Sequence, residues 1–253
     1  MVKINNILAV DIGNSSICLG IFRRNKIISF KKIYEKNLKR KELSEYIGKN
    51  VFSDIILSSV NKDNEKNFLS ILNLKKRNLL RVKKLADRKI FADYDDFDKL
   101  GEDRIANVYF CREIIKKPCI VFDFGTALNI EIFDGKKFCG GFITIGIVAE
   151  KKSILKAAKG IKLKKTGEFS RIKINSFGKS TIGGIEKGIL LSKTAFVEKV
   201  IQNAKQKYKK NFKTLLTGGD LNIIKNYFKF DVVDEKITVK GIAALYYNSK
   251  YAK

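Results

Sequence analysis

Asp11 and Asp123 each stand near the end of a short apolar run, and each is followed two residues later by a glycine. The first stretch reads Leu8-Ala9-Val10-Asp11-Ile12-Gly13-Asn14-Ser15 and the second Ile120-Val121-Phe122-Asp123-Phe124-Gly125-Thr126-Ala127. A further apolar run follows each, Ile17 to Phe22 and Leu128 to Phe133. The pattern predicts strand, tight turn, strand, twice. Glycine at a turn lets the backbone come close to a ligand, and Asn14, Ser15 and Thr126 add short donors suited to phosphate oxygens. Asp11 and Asp123 are hard oxygen ligands for a cation. A single Asp-x-Gly is commonly a plain turn after a strand. Two in equivalent contexts point to hairpins that face each other and hold a nucleotide's phosphates between two lobes.

A second group of acids lies in the stretch from Ala92 to Asp103, where Asp93, Asp95, Asp96, Asp98, Glu102 and Asp103 cluster in an otherwise basic chain. Asp95, Asp96 and Asp98 read as solubilising charges and helix caps. Asp103 follows Gly101 and precedes Arg104 at the start of a helix with apolar positions at Ile105, Val108, Ile114 and Ile115. A carboxylate there is ordinarily a cap. The neighbouring Arg104, however, has a planar guanidinium that can hold a substrate acid in a bidentate pair. The chain has no histidine, which excludes histidine bases, Ser-His-Asp triads and histidine-ligated zinc, and leaves carboxylates as the natural bases.

The paired hairpins resemble those of the actin, Hsp70 and sugar kinase superfamily of ATP-dependent phosphotransferases. More narrowly, the chain resembles the type III pantothenate kinase family. The matching pieces are Asp11-Ile12-Gly13-Asn14-Ser15, Ser58-Ser59-Val60, Tyr94 with Leu100-Gly101-Glu102-Asp103-Arg104, Asp123-Phe124-Gly125-Thr126-Ala127, Gly140-Gly141-Phe142-Ile143, Gly178-Lys179-Ser180-Thr181 and Leu216-Thr217-Gly218-Gly219. They span nearly the whole chain. The resemblance implies two ribonuclease H-like lobes of the actin-like ATPase fold facing one cleft, and phosphorylation of the primary alcohol of pantothenate, the first step of coenzyme A synthesis.

It further implies Asp103 as base, with Tyr94, Gly101, Glu102, Arg104 and Thr181 at the substrate, Thr181 reaching it from the partner subunit of a homodimer. Asp11, Gly13, Asn14, Ser15 and Thr126 would hold ATP phosphates directly or through Mg²⁺, and Asp123 a monovalent cation such as K⁺ or NH₄⁺. Three departures stand out: Ile145 precedes Gly146 where the family has proline, no proline lies between Tyr94 and Leu100, and Ser15 replaces threonine. Ser15 keeps the hydroxyl, and lost prolines loosen loops through chain entropy more than they remove chemistry.

The elements that must position these residues alternate between strand and helix, the mark of an α/β protein. The first lobe is expected over residues 1–103: a hairpin, strands at Lys26 to Ile33 and Asp54 to Ser58, helices at Lys41 to Lys49 and Asn64 to Leu72, and strand-like runs at Leu79 to Val82 and Lys89 to Phe91. The second is expected over residues 104–253, with the boundary near a helix from Arg104 to Ile115. Its elements are the second hairpin, a helix near Glu150 to Ala158, a basic stretch to Lys173, an amphipathic helix from Thr181 whose apolar spacing is broken by Lys193, a strand at Lys213 to Leu216 and a last helix at Val239 to Tyr247.

The formal charge of +26 raises nucleic acid or membrane surfaces as partners. The lysines are instead spread in pairs (Lys31-Lys32, Lys75-Lys76, Lys116-Lys117, Lys151-Lys152) without aromatic interleaving, a pattern that a compositional bias also produces. A non-catalytic paralogue acting in transcription is the alternative; intact Asp103, Arg104, Asp123 and Thr126 favour the enzyme, with no specific nucleic acid expected. Cys18, Cys111, Cys119 and Cys139 form no Cys-x-x-Cys pair and read as free thiols in a reducing cytoplasm. No signal-peptide core precedes Asp11, and no run reaches the roughly 18 apolar residues needed to span a bilayer.

Overall fold

The computed structural model describes residues 6–34, 40–72, 78–158, 169 and 172–249. Lys75-Lys76 and most of the basic stretch before Lys173 lie outside them. The chain divides into two compact units, one of Met1–Lys116, Gly135–Cys139 and Lys236–Lys253, the other of Lys117–Asp134 and Gly140–Glu235.

The first unit holds strands β1 (Ile7–Ile12), β2 (Ser16–Arg23), β3 (Lys26–Tyr34), β4 (Asp54–Ser59) and β5 (Asn78–Arg81), in the order β3-β2-β1-β4-β5. The β1-β2-β3 meander is antiparallel and β4 and β5 are added parallel. Strand β1 is apolar without alternation because its central position buries both faces, and Ile7 to Val10 have no exposure. Helices α1 (Arg40–Gly48) and α2 (Lys62–Ile71) give Leu43, Ile47 and Phe68 to the core built on Leu8, Val10 and Leu57.

The expected strand at Lys89 to Phe91 is instead a 3₁₀ turn, Arg88–Phe91, after a short α3 (Val82–Leu85). Asp87 decides it: its carboxylate accepts the Lys89 N–H at 3.0 Å, a local bond that competes with strand pairing. The helix expected from Arg104 to Ile115 is α4 (Glu102–Phe110), continued by a π turn, Cys111–Ile115, and stopped by Lys116 at φ 55°.

The second sheet repeats the arrangement. Strands β6 (Cys119–Phe124), β7 (Ala127–Phe133), β8 (Phe138–Ile145), β9 (Lys213–Thr217) and β10 (Val232–Val233) lie in the order β10-β9-β6-β7-β8. Read from β8, this is the order of the first sheet. The helices are α5 (Ile147–Ala157), α6 (Thr181–Tyr208) and the short α7 (Leu221–Ile224). The break that Lys193 makes in the apolar spacing of α6 is a buried charge inside a continuous helix. The Lys193 ammonium lies 2.7 Å from Glu150, and Lys151 on α5 pairs with Glu186 on α6. Two shielded ion pairs thus fix α5 against α6 where the pattern of apolar residues left a gap.

The last helix, α8 (Ile237–Tyr247), belongs to the first unit, as does α4, so the chain divides after Lys116 and not at residues 103 and 104. Gly241 is the reason the two helices pack so closely: a Cβ there would lie 1.9 Å from the Ala106 carbonyl oxygen. Thr238 and Asn107 hydrogen-bond across the same contact at 3.0 Å. Further along α8 the Tyr246 hydroxyl donates to Asp54 at 2.9 Å; burial, with Asp54 beside it, holds this phenol above its ordinary pKa.

Candidate active site

The first hairpin turns between Asp11, on β1, and Ser16, on β2. Gly13 N–H donates to the Ser16 carbonyl at 3.0 Å and closes the turn. Asp11 is in register with Ser58 on β4, whose hydroxyl donates to one Asp11 oxygen at 2.8 Å. That bond aligns the carboxylate. Helix α2 supports the turn: Asn64 donates to the Gly13 carbonyl at 3.3 Å, and Asn61, which caps α2, reaches Asn14 at 3.4 Å. Asn14 and Ser15 are left exposed at the tip.

The second hairpin turns in fewer residues, with Gly125 N–H donating to Ala127 at 2.9 Å. Asp123 is in register with Asn129 on β7 and Thr217 on β9, and Thr126 is exposed. Two segments not adjacent in sequence close on this turn. Gly146, the residue before α5, donates its N–H to Thr126 at 2.9 Å, and its missing Cβ would fall 1.9 Å from the Gly125 carbonyl oxygen. Gly218 has φ +98° and a Cβ there would lie 2.4 Å from the Phe124 carbonyl oxygen. Asp220, two residues further on, donates its N–H to that Phe124 carbonyl at 2.7 Å and accepts Val148 N–H at 3.2 Å, capping α5 from a distant segment. Sequence reasoning missed this role of Asp220, because a cap supplied across the fold leaves no local spacing.

Helix α4 begins with Gly101 as its N-cap. Asp103 is partly buried; desolvation pushes its pKa above the ordinary carboxylate value, opposed by the Arg104 N–H, which it accepts at 2.9 Å, and by the Arg104 charge. A Cβ on Gly101 would lie 2.4 Å from that carboxylate, so glycine leaves the space it occupies. Arg104 is 6% exposed, with its guanidinium 5.9 Å from the Tyr94 ring centre and 5.6 Å from that of Phe138, cation–π distances. Tyr94 and Phe138 are themselves in contact at 5.6 Å. The sequence named Tyr94 but not Phe138, which arrives on β8.

Glu102 points elsewhere. Its carboxylate accepts Ser59 N–H at 3.1 Å and Lys83 N–H at 3.2 Å and pairs with Arg81, which also binds Glu65. Burial raises its pKa, with the Lys83 bond and Arg81 acting against it. These contacts join the start of α4 to the ends of β4 and β5. Glu102→Ala is expected to leave two half-buried N–H groups and the Arg81 charge without their carboxylate and cost about 3 kcal/mol, a fall of roughly 6–12 °C in Tm readable by calorimetry.

Thr181 is the first residue of α6 and is exposed. The loop before it is folded against the helix: Ser180 accepts Gly183 N–H at 3.1 Å, and Lys187 donates to the Ser176 and Phe177 carbonyls at 2.9 and 3.2 Å.

Among the described residues no group of three or more His, Cys, Asp or Glu could hold a metal, and no helix is long and apolar enough to cross a membrane. Each hairpin offers a single carboxylate, Asp11 on β1 and Asp123 on β6, which suits a cation held by one protein oxygen and nucleotide phosphates better than an all-protein cage.

The chain is similar over residues 7–203 to the type III pantothenate kinase family. A type III pantothenate kinase from Aquifex aeolicus is 29% identical over 246 residues, covering 95% of this chain and 96% of the relative. Among solved structures, a Baf family protein from Campylobacter jejuni matches with a TM-score of 0.60 and 20% identity over 94% of this chain and 96% of its own. The activator of 2-hydroxyisocaproyl-CoA dehydratase from Clostridium difficile, with bound ADPNP, matches with a TM-score of 0.52 and 11% identity over 95% and 93%. The two structures share the fold, the α/β architecture of actin-like ATPases. The family match starts on β1, ends within α6 and takes in both hairpins and the start of α4, and the chain therefore belongs to the type III pantothenate kinase family.

Proposed function

We propose that this protein transfers the γ-phosphate of ATP to the primary alcohol of pantothenate, giving 4'-phosphopantothenate in the first step of coenzyme A synthesis. The observation that carries the reading is the start of α4: a desolvated carboxylate, Asp103, beside an arginine held against two aromatic rings. Asp103 accepts the proton of the alcohol as it attacks. Arg104 binds the pantothenate carboxylate, Tyr94 packs against the substrate and Gly101 allows close backbone approach. Glu102, expected at the substrate, acts through its bonds to Ser59 and Lys83 by holding this helix start in place.

Asp11, Gly13, Asn14 and Ser15 hold ATP phosphates, and Thr126 does so from the second hairpin. Mg²⁺ supplies charge neutralisation on the phosphates, and Asp123 takes the monovalent cation, K⁺ or NH₄⁺. The residues then orient and desolvate the reactants, the main task in this chemistry.

The enzyme is further read as a cytoplasmic homodimer in which Thr181 reaches the partner's substrate. Support comes from exposed apolar residues of the second unit: Phe142, Ile143 and Ile145 of the edge strand β8 and Leu191 of α6 are exposed, and Phe142 meets Phe196 edge-to-face at 5.6 Å. Exposed apolar side chains in this number call for cover.

The test is phosphorylation of pantothenate by ATP with Mg²⁺ in K⁺, NH₄⁺ or Na⁺, beside sedimentation at micromolar concentration. Product formed in K⁺ or NH₄⁺ but not Na⁺, from a dimer, is expected. Absence of product from a folded, ATP-binding dimer would point to another alcohol, and a monomer would remove the role of Thr181.

A further inference from the structure

The first unit carries an open cleft of about 1200 Å³ between the start of α2, helix α3 and the loop leading to Gly101. Seven basic side chains line it, Lys62, Lys66, Arg81, Lys83, Lys84, Arg88 and Lys99, against three acidic ones, Glu65, Asp98 and Glu102. The acids are already engaged. Arg81 binds Glu65 and Glu102, and Arg88 binds Asp98 at 2.7 Å. Lys99 is held by Asp96 at 3.0 Å, and the Lys83 ammonium donates to the Asp98 carbonyl at 2.6 Å. Lys62, Lys66 and Lys84 have no carboxylate partner among the described residues and are exposed. The cleft therefore concentrates positive charge that the protein does not itself neutralise.

Its lining narrows the ligand. No aromatic side chain lines the cleft on which a base could stack. What remains is recognition of compact negative charge by ammonium groups. We propose that this cleft binds a small polyphosphate or the diphosphate group of a small ester through Lys62, Lys66 and Lys84, separately from the ATP of the phosphorylation reaction. Asn61, which lines the cleft, is also bonded to Asn14 of the first hairpin at 3.4 Å, so an occupant would sit beside that hairpin without requiring its turn. The dense Coulomb field of clustered cations makes the affinity steeply dependent on salt.

The experiment is titration of the full chain with inorganic pyrophosphate by calorimetry, with the non-hydrolysable ATP analogue ADPNP present at saturation. A variant neutralised at the cleft (Lys62→Gln, Lys66→Gln, Lys84→Gln) is compared with one neutralised elsewhere (Lys205→Gln, Lys207→Gln, Lys225→Gln). All six lysines are exposed, so both variants are expected to fold, which the melting temperature checks. The cleft variant should bind pyrophosphate at least tenfold more weakly, the distant variant should bind as the wild type does, and Lys→Arg at the three cleft positions should restore binding. Equal weakening in both neutralised variants would reduce the effect to diffuse charge. Loss of wild-type binding once ADPNP is present would make the site that of the nucleotide. Either result overturns the proposal, as does an unchanged affinity in the cleft variant. None of these readouts depends on turnover of pantothenate.

Discussion

Asp103→Asn is expected to lower turnover by about 10²- to 10⁴-fold, the contribution of a general base, while raising the melting temperature. The two effects share one cause. Folding withdraws the Asp103 carboxyl from water, and desolvation outweighs the Arg104 N–H and the Arg104 charge, so the folded pKa lies above the unfolded one. A carboxyl shifted upward contributes stability that is fully present below its unfolded pKa, about 3.9, and is lost as pH rises through the folded value. At neutral pH the charged form is a cost carried for function, and the neutral amide removes it. The acid limb of kcat/KM in the wild type should accordingly lie above the range of an exposed aspartate, since the base must be ionised to accept a proton. In the variant that limb should be absent from the residual activity. ATP affinity should change little, because Asp103 stands on α4 and not on a hairpin. A variant that turns over normally would remove Asp103 from the chemistry; one that loses turnover and melts lower would make its role structural.

Gly146→Ala should be the most damaging conservative change in the second unit. The added methyl would meet the Gly125 carbonyl oxygen at 1.9 Å and the Thr126 carbonyl oxygen at 3.0 Å, and these are backbone atoms with no rotamer to change. Either the hairpin or the start of α5 must move, which breaks the Gly146–Thr126 hydrogen bond as well. The cost is about 3 kcal/mol, at the upper end for overpacking, or roughly 6–12 °C in Tm. Because Thr126 is displaced with the turn, KM for ATP should rise more than kcat falls. Gly219→Ala is the control, since a Cβ there meets nothing within 4 Å. Equal melting temperatures for the two variants would show that the hairpin yields without cost.

The separation between local pattern and tertiary placement can be followed through α4. Residues Gly101 to Arg104 were legible as a unit, because an acid and an arginine beside a glycine at a helix start are local facts, as are the two Asp-x-Gly turns. The two hairpins follow from the same evidence, each written in contiguous apolar runs, whereas the places of β4, β5, β9 and β10 beside them are set by tertiary pairing. Glu102 was legible only as one more acid near the substrate. Its true partners, the N–H groups of Ser59 and Lys83, come from β4 and α3, and nothing in its own neighbourhood names them.

Periodicity likewise read Lys193 as a break in the apolar spacing of α6, since a charge on an apolar stripe is a defect until a counter-charge is found. Glu150 supplies it from α5. The strand expected at Lys89 to Phe91 failed because three apolar or long side chains fit either state, and the Asp87 carboxylate settles the turn.

What the sequence by itself determined is the chemistry available: two turns suited to phosphate, carboxylates in place of histidine, and an acid-arginine pair at a helix start. Spacing and residue type suffice for these because each is made by neighbours in the chain. Only the tertiary structure decided which unit α8 joins, which distant acid caps α5, and where cations gather without carboxylates to balance them. Those outcomes depend on close backbone approach at Gly241, Gly146 and Gly218, and on pairings between residues far apart in sequence, which no local pattern encodes.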